Sequence, residues 1–187
     1  MDGEPGIVIW FTGLSGAGKS TVAEGVHELL TRDGLTVLIL DGDDVRRCFH
    51  SHLGFSEAEV KENNRLIAKL CSEKRGAYDV IMVPIISPYV KSRRAARARL
   101  SPGFYEVFCN ADLETVRSRD VKGLYAKADR GEMEGLIGFS PDSVYEPPLS
   151  YNLSLDTAYQ QPQEAIDALH RFVRECLLEA STPSPSR

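Results

Sequence analysis

The chain has 187 residues with 22 Lys and Arg against 27 Asp and Glu, and its net charge of −5 argues against a protein that coats DNA or RNA. Its 42% hydrophobic and 26% charged residues are typical of a folded globular domain. No apolar run reaches the roughly 18 residues of a membrane helix, and the first residues lack a signal-peptide pattern, so we expect a cytoplasmic protein without membrane contact.

Strands and helices are predicted to alternate along the chain. Residues 7–12 form a continuous apolar run, as expected for a strand buried on both faces of a parallel sheet. A Gly-rich turn and a helix over residues 19–32 follow, and residues 36–40 predict a second buried strand that stops at Asp41. Ser56 and Glu59 form a capping-box pattern for a long helix that ends near Arg75.

The second half continues this alternation. Strands are predicted over residues 80–83, 104–108 and 153–155, and a last helix begins near Pro162 with an apolar stripe that we expect to pack on the sheet. A dimer face is the alternative use of that stripe. The pattern predicts an α/β fold with three layers and a mostly parallel sheet of about five strands. We expect one domain over residues 1–180 and a disordered tail over 181–187.

Residues 122–148, here called the lid segment, differ from the rest of the chain. The segment is rich in Gly and charge and has little apolar periodicity. A long stretch that does not pack is usually a mobile lid or binding loop, which is our prediction. A surface insertion without function is the alternative.

Residues 13–20, the P-loop, match G-x-x-x-x-G-K-[ST] between a predicted strand and a predicted helix. Glycines let successive backbone N–H groups point at one phosphate, and the helix N-terminus adds partial positive charge. Lys19 is predicted to reach the β- and γ-phosphates of ATP, and the Ser20 hydroxyl to ligate Mg²⁺. The predicted ATP-binding residues here are Gly13, Ser15, Gly16, Ala17, Gly18, Lys19, Ser20 and Thr21.

Among P-loop proteins, the sequence favours a small-molecule kinase. A GTPase should show a guanine-reading N-K-x-D string, which is not found, and the D-x-x-G match at Asp120 follows a helical stretch rather than a strand. Motor ATPases normally need a larger body. A compact domain with a charged lid fits a kinase, because lid closure keeps water away from the phosphoryl group.

Two carboxylates follow the second predicted strand, at the edge where open parallel sheets bind their ligands. Asp43 is the better candidate for the base that accepts a proton from the attacking hydroxyl, and Asp41 is predicted to anchor the turn or a Mg²⁺ shell. A polar turn that caps the next helix is the alternative. Arg46, one helical turn after Asp43, is placed to meet an anionic acceptor.

Two other groups of residues are interpreted as structural. The basic run over residues 91–99 is predicted to be mostly a solvated helix face. The four cysteines lie far apart and are predicted to be reduced and mostly packed. A metal cluster at Cys48, His50 and His52 is disfavoured because no fourth ligand stands at a suitable spacing.

Several segments together resemble the adenylylsulfate kinase family, P-loop enzymes that phosphorylate the ribose 3′-hydroxyl of adenosine 5′-phosphosulfate (APS). Besides the P-loop, the similar strings are residues 40–43, 45–46, 53–56, 62–63, 86–89, 119–125 and 155–157. They occur in unbroken order, and the lid and Ile-Ser-Pro-Tyr strings are far more specific than the P-loop. The resemblance implies a P-loop NTPase fold, ATP with Mg²⁺, a small-molecule nucleotide substrate, sulfate activation as the role, and pairing into a homodimer.

The resemblance also implies roles for individual residues. Asp43 and Arg46 would contact the acceptor nucleotide, and Phe55 would stack on its base. Arg119 would belong to the ATP half of the site. The remaining acceptor-pocket residues would be Asn63, Ile86, Ser87, Lys122 and Leu136.

The sequence departs from the family pattern at several acceptor positions. Val60 stands where the family usually has an Arg, and Leu136 replaces the Phe that closes the second face of the adenine site. Asp44 replaces an Asn, Ala126 and Asp129 replace basic lid residues, and residues 138–145 are about two residues longer than usual. Three hypotheses therefore stay open: an APS kinase, a relative with another acceptor such as a cytidine 5′-diphosphoramidate kinase, and a nucleotide-binding protein without turnover.

Overall fold

The computed structural model describes residues 5–49 and 53–180, without the side chains of Asp43, Arg46 and Phe49. Its described part contains one five-stranded sheet in the order β2-β3-β1-β4-β5, in which every neighbouring pair is parallel. The strands are β1 (Ile7–Thr12), β2 (Val37–Ile39), β3 (Val80–Val83), β4 (Phe104–Cys109) and β5 (Leu153–Leu155). The predicted α/β class and strand number are confirmed. The predicted tail, 181–187, lies outside the described residues.

Helices connect the strands and cover both faces of the sheet. They are α1 (Lys19–Arg32), α2 (Gly42–Phe49), α3 (Glu57–Lys74), α4 (Val90–Leu100), α5 (Leu113–Arg119), α6 (Leu124–Asp129) and α7 (Pro162–Ala180). None of the helices in the described ranges is long and apolar enough to cross a membrane.

Strand β1 lies in the middle of the sheet and divides two apolar cores. Ile7, Ile9 and Phe11 pack with side chains of α1 and α7, whereas Val8 and Trp10 pack with those of α3 and α4. Successive side chains of a strand point to opposite faces, so a continuous apolar run is what a central strand requires. Full burial of each large apolar side chain contributes about 1.5–3 kcal/mol.

The start of α3 is fixed by the predicted capping box. The Ser56 side chain accepts a hydrogen bond from the Glu59 backbone N–H, and the Glu59 carboxylate accepts from the Ser56 N–H. The same carboxylate accepts from the Gly54 N–H at 2.8 Å. These bonds hold the loop that carries Phe55 against the helix.

Two local expectations are wrong. Strand β2 covers only Val37–Ile39 and is half-buried, because it is an edge strand that pairs with β3 alone. The lid segment does pack: it contains α6 and buries Tyr125, Leu136 and Ile137.

The basic run over residues 91–99 is mostly a solvated helix face, as predicted. Lys91, Arg94 and Arg99 are exposed and Arg97 is half-buried. Arg93 is the exception, because its side chain is fully buried.

Other expectations agree with the structure. The stripe of α7 buries Leu169 and Val173 against α1 and the sheet, and Asp120 ends helix α5. Three cysteines are buried and Cys48 is exposed.

The expectation that Cys48, His50 and His52 form no metal cluster is not tested, because His50 and His52 lie outside the described residues. Among the residues that the structure does describe, no group of three or more metal-ligating side chains occurs.

Candidate functional site

A cavity of about 360 Å³ opens at the carboxyl end of the sheet. It is lined by the loop after β1, by Asp41 after β2 and by residues 84–88 after β3, with further walls from α3 and the lid segment. The connection after β1 runs to β2 on one side of the sheet order, whereas the connection after β3 runs to β4 on the other, so the direction of the connections reverses between the neighbouring strands β1 and β3. Open α/β sheets bind their ligands at such a point.

The P-loop joins β1 to α1 and forms one side of the cavity. Gly18 precedes α1 with a φ of 86°, a left-handed conformation that residues with a Cβ adopt at a cost. Six P-loop positions line the cavity: Ser15, Gly16, Gly18, Lys19, Ser20 and Thr21. A helix N-terminus after a Gly-rich loop is a binding site for a phosphate.

The Lys19 ammonium lies against the P-loop itself. Its Nζ donates to the carbonyl oxygens of Gly13 at 2.9 Å and Leu14 at 2.7 Å, and the side chain is buried. The positive charge is therefore held at the cavity wall, next to the helix N-terminus. The arrangement suits an anionic ligand with several negative charges.

Ser20 and Asp41 are brought together from different elements. The Ser20 hydroxyl, in the first turn of α1, donates to the Asp41 carboxylate after β2 at 2.8 Å. Both side chains line the cavity. Hydroxyl and carboxylate oxygens are the ligands that Mg²⁺ prefers, so this pair fits the predicted metal position.

Most other predicted site residues lie around the same cavity. Phe55, Asn63, Ile86, Ser87, Lys122 and Leu136 line it. Gly13 and Ala17 belong to the P-loop but are not among the lining residues. The side chains of Asp43 and Arg46 lie outside the described part, although both residues stand in α2.

Arg119 is held away from the lining residues. Its guanidinium donates to the carbonyl oxygens of Thr157 at 2.7 Å and Ala158 at 3.0 Å. The contact joins α5 to the loop after β5. Its predicted role toward ATP stays a prediction.

Ser87 is held by residues that the sequence did not indicate. Its Oγ accepts hydrogen bonds from Trp10 Nε1 at 3.0 Å and from Asn64 Nδ2 at 3.1 Å. Its φ of 43° is left-handed, which is uncommon for a residue other than glycine. Because Trp10 and Asn64 occupy the acceptor sites of the hydroxyl, its proton is left to be donated. Asn64 itself lines the cavity next to the predicted Asn63.

The lid segment contacts the P-loop directly. The Tyr125 hydroxyl donates to the Ser15 carbonyl at 3.0 Å, and burial raises the pKa of Tyr125 to about 12, so the hydroxyl keeps its proton at neutral pH. Leu14 lies so close to Gly138 that a Cβ there would come within 2.3 Å of it. An aromatic residue in a charged stretch was the only sequence signal of this contact.

One wall of the cavity is apolar. Val60 is 4% exposed and forms a small cluster with Tyr89 and Ile137. Phe55, at 58% exposed, lines the same cavity. Val60 has no group that could pair with an anion. The replacement of the usual Arg by Val60 therefore leaves this wall of the cavity without a positive charge at that position.

Comparison with known proteins gives a consistent result. The adenylylsulphate kinase family model matches residues 5–156. The adenylyl-sulfate kinase of Geotalea daltonii is 43% identical over 175 residues, which are 93% of this chain and 85% of that protein. The structure of the Mycobacterium tuberculosis APS kinase CysC in complex with AMPPNP and APS is similar with a TM-score of 0.81 and 37% identity, over 94% of this chain and 98% of that chain.

A further solved structure is a hexameric APS kinase from Thiobacillus denitrificans. It is 30% identical with a TM-score of 0.66, and the match covers 91% of this chain but 29% of that chain. The family match includes the P-loop, Asp41, Ser87 and the whole lid segment. With this match over most of its length and relatives above 40% identity, the chain belongs to the adenylylsulfate kinase family.

Proposed function

We propose that this protein transfers the γ-phosphoryl group of ATP to the ribose 3′-hydroxyl of APS, giving ADP and 3′-phosphoadenosine 5′-phosphosulfate. The observation that carries the proposal is one cavity that joins the P-loop, with Lys19, to a separate wall that contains Phe55, Asn63 and Ser87. A phosphoryl donor and an acceptor can therefore meet inside a single cavity.

In the proposed reaction, the 3′-hydroxyl oxygen of the acceptor forms a bond to the γ-phosphorus while the bond from that phosphorus to the β–γ bridging oxygen breaks. ADP leaves with the bridging oxygen. Asp43, assigned as the base from its sequence position, accepts the hydroxyl proton. The Lys19 ammonium stabilises negative charge on the phosphate oxygens as the transfer proceeds.

Ser20 and Asp41 would hold Mg²⁺ in this reaction, directly or through water. The Ser20 hydroxyl and Asp41 carboxylate oxygens lie 2.8 Å apart. Ser20 belongs to helix α1 and Asp41 follows strand β2, so the fold positions the pair before the nucleotide binds. A bound Mg²⁺ supplies positive charge beside the β- and γ-phosphates. The resemblance and the oxygen ligands both support this assignment.

The lid segment is proposed to exclude water during transfer. Tyr125 and Leu14 already connect it to the P-loop, and Leu136 and Ile137 add apolar surface beside the acceptor. Water that reached the γ-phosphate would compete with the ribose hydroxyl. Movement of the segment between open and closed positions is part of this proposal.

A second candidate is a kinase of the same chemistry with another acceptor nucleotide. The observation in its favour is the apolar wall at Val60, Tyr89 and Ile137, where the usual family member has a cation. Loss of a desolvated Arg–anion contact costs on the order of 1.5–3 kcal/mol of binding energy. The adenine site also has Leu136 in place of an aromatic ring, which costs about 1–3 kcal/mol of stacking.

An acceptor panel tests both candidates. Purified protein with ATP and Mg²⁺ is given APS, then adenosine, cytidine and uridine 5′-phosphates and 5′-diphosphates, while ADP release and the phosphorylated product are measured. Turnover with micromolar APS is the expected result. Turnover with a pyrimidine nucleotide but not with APS would replace the first candidate by the second, and ATP binding without any turnover would overturn both.

Asp43→Asn provides the mechanistic test of the same proposal. The variant should bind AMPPNP as the wild type does and lose turnover about a hundredfold or more, because general base catalysis contributes roughly 10²–10⁴. Asp167→Asn, at an exposed aspartate of α7 that does not line the cavity, is the control and should keep its activity. Normal turnover of Asp43→Asn would exclude Asp43 as the base.

The assembly state is a separate proposal. We propose a homodimer from the family resemblance, and sedimentation of the purified protein tests it. The hexameric relative shows that larger assemblies occur among similar enzymes.

A further inference from the structure

Arg93 in α4 is the most deeply buried charged side chain of the described residues that the proposed function does not use. Its side chain is 2% exposed, and each of its three guanidinium nitrogens has a different partner. Nε pairs with the Glu106 carboxylate at 2.8 Å, Nη1 donates to the Ser87 carbonyl at 2.7 Å, and Nη2 donates to the Glu146 carbonyl at 2.8 Å. The guanidinium therefore joins three separate parts of the chain.

The first partner, Ser87, belongs to the cavity wall. Its carbonyl also accepts from Thr12 Oγ1 at 3.1 Å, while its hydroxyl is held by Trp10 and Asn64. These bonds keep the residue in its left-handed conformation, which a non-glycine residue adopts only when its surroundings enforce it. Arg93 supplies one of these bonds and is not itself among the residues that line the cavity.

The second partner, Glu146, lies at the end of the lid segment. Its backbone N–H donates to the Pro88 carbonyl at 2.9 Å, and its carboxylate accepts from the Val90 N–H at 2.6 Å. The neighbouring Tyr145 reaches Thr12 at the end of β1, at 3.0 Å between the two hydroxyl oxygens. The returning end of the lid segment is thus bound to the same loop as Ser87.

The third partner, Glu106, fixes the guanidinium itself. It lies in β4 with a side chain 6% exposed, and Arg97 contacts its second carboxylate oxygen at 3.4 Å. A planar guanidinium held by a buried carboxylate presents its remaining N–H groups in fixed directions. A Lys could neutralise Glu106, but its three N–H donors all leave from one nitrogen, so it could not reach partners spaced as far apart as the three guanidinium nitrogens.

We propose that Arg93 is a positioning residue for the acceptor nucleotide, setting the Ser87 wall and the end of the lid segment relative to each other. It does so through the two carbonyls and does not touch the nucleotide. The inference rests on the proposed function, because the acceptor is identified there. If the ion pair were purely structural, its loss would lower the free energy of unfolding without weakening the binding of one substrate more than that of the other.

Arg93→Lys separates these two roles. We expect the KM for APS to rise about tenfold while kcat and the affinity for AMPPNP change by less than about twofold, as for loss of acceptor binding alone. Arg97→Lys is the matched control: Arg97 pairs with the same carboxylate and with Asn152 but contacts neither carbonyl. It should leave both substrates unaffected. Equal weakening of APS and AMPPNP, or no change in either, would overturn the proposal.

Two further measurements cover other outcomes. If Arg93→Lys does not fold, the neutral pair Arg93→Gln with Glu106→Gln replaces it, and failure of both to fold would overturn the proposal in favour of a structural role.

If the wild type does not turn over APS, the proposed function fails by itself. The inference is then decided by amide hydrogen exchange, in which Arg93→Lys should speed exchange at residues 86–90 and 145–147 but not at 13–20, and unselective change would overturn it.

Discussion

At the residue scale, the site combines side chains of two kinds. Lys19 and Ser20 follow from a local string, because a strand, a Gly-rich turn and a helix N-terminus place them without help from distant residues. Val60 and Ser87 depend on tertiary contacts: the first on an apolar cluster, the second on Trp10 and Asn64. We expect the specificity for the acceptor nucleotide to depend on side chains of the second kind.

Val60→Arg tests the acceptor at this scale. If APS is the native acceptor, a guanidinium at this wall should pair with the sulfate end and lower the KM for APS by about tenfold, the value of a modest charge-assisted bond. Steady-state kinetics with varied APS measure it. Ala58→Arg, on the exposed side of the same helix, is the control.

A higher KM for a folded Val60→Arg enzyme would contradict this prediction. Because Val60 is buried, a thermal melt must first show that the variant is folded. A selective gain with another nucleotide would favour the second candidate function.

At the element scale, the lid segment is the part in which pattern and structure differ most. Its sequence has little periodicity, yet Tyr125, Leu136 and Ile137 are buried. Single apolar residues in a charged stretch give no helical or strand period. Tyr125 and Leu136 are buried in the core on the α1 face of the sheet, and Ile137 packs with Val60 and Tyr89, so their burial follows only from tertiary contacts. The predicted lid location is nevertheless at the cavity.

Gly138→Ala tests the contact between the lid segment and the P-loop. A Cβ at residue 138 would lie 2.3 Å from Leu14 Cδ2, and its φ is +80°. We expect the free energy of unfolding to fall by about 2–3 kcal/mol, from backbone strain and from overpacking, with reduced turnover. Urea unfolding and steady-state kinetics measure the two effects.

Gly131→Ala is the matched control, because it has a φ of +71° and nothing within 4 Å of a new Cβ. Its free energy of unfolding should fall by about 1 kcal/mol, because only the strain of an alanine at positive φ contributes. Equal losses in the two variants would mean that the Leu14 contact contributes nothing.

The start of β2 is joined to the start of β3 by one carboxylate. Asp79 Oδ2 accepts from the Thr36 N–H at 2.6 Å and from the Thr36 hydroxyl at 2.7 Å. Hydrogen bonds from the Thr36 side chain and backbone hold the pKa of Asp79 below its usual value. A lowered pKa in the folded state stabilises the fold above the unfolded pKa, and this stabilisation is lost as pH falls through the folded value.

Asp79→Asn should therefore be less stable than the wild type at pH 7, by about 0.5–1 kcal/mol after allowance for solvent screening. The difference in the free energy of unfolding between the two proteins should become smaller as the pH is lowered from about 5 to below 3. Urea unfolding across this pH range measures it. Asp142→Asn, an exposed aspartate of the lid segment, is the control. A difference that does not change with pH would show that the carboxylate charge is not involved.

At the scale of the whole molecule, two cores on opposite faces of the sheet enclose three of the cysteines. Burial raises the pKa of Cys71 and Cys109 to about 12 and that of Cys176 to about 11. The thiolate is the reactive form of cysteine. These three thiols are therefore protected from alkylation in two ways: they are buried, and their raised pKa keeps them protonated at pH 8. Cys48 is exposed.

Alkylation with iodoacetamide at pH 8 should therefore modify Cys48 alone in the folded protein and all four cysteines after unfolding. Mass spectrometry of the peptides counts the modified positions. Cys48→Ser should remain unmodified while folded. Rapid modification of Cys109 would contradict the packing of the core beside the P-loop.

Features that depend on neighbours along the chain could be predicted from the residues alone. These are the P-loop, the capping box at Ser56 and Glu59, the buried strand β1 and the family strings, because each depends on a short string of residues whose geometry is local. Other features depend on contacts between segments that are distant in the sequence. Arg93 became buried through Glu106, Ser87 was fixed by Trp10 and Asn64, and β2 became an edge. These outcomes depend on which distant segments pack together. The hydrophobic periodicity of a segment indicates which of its faces is buried but not which other segment covers that face.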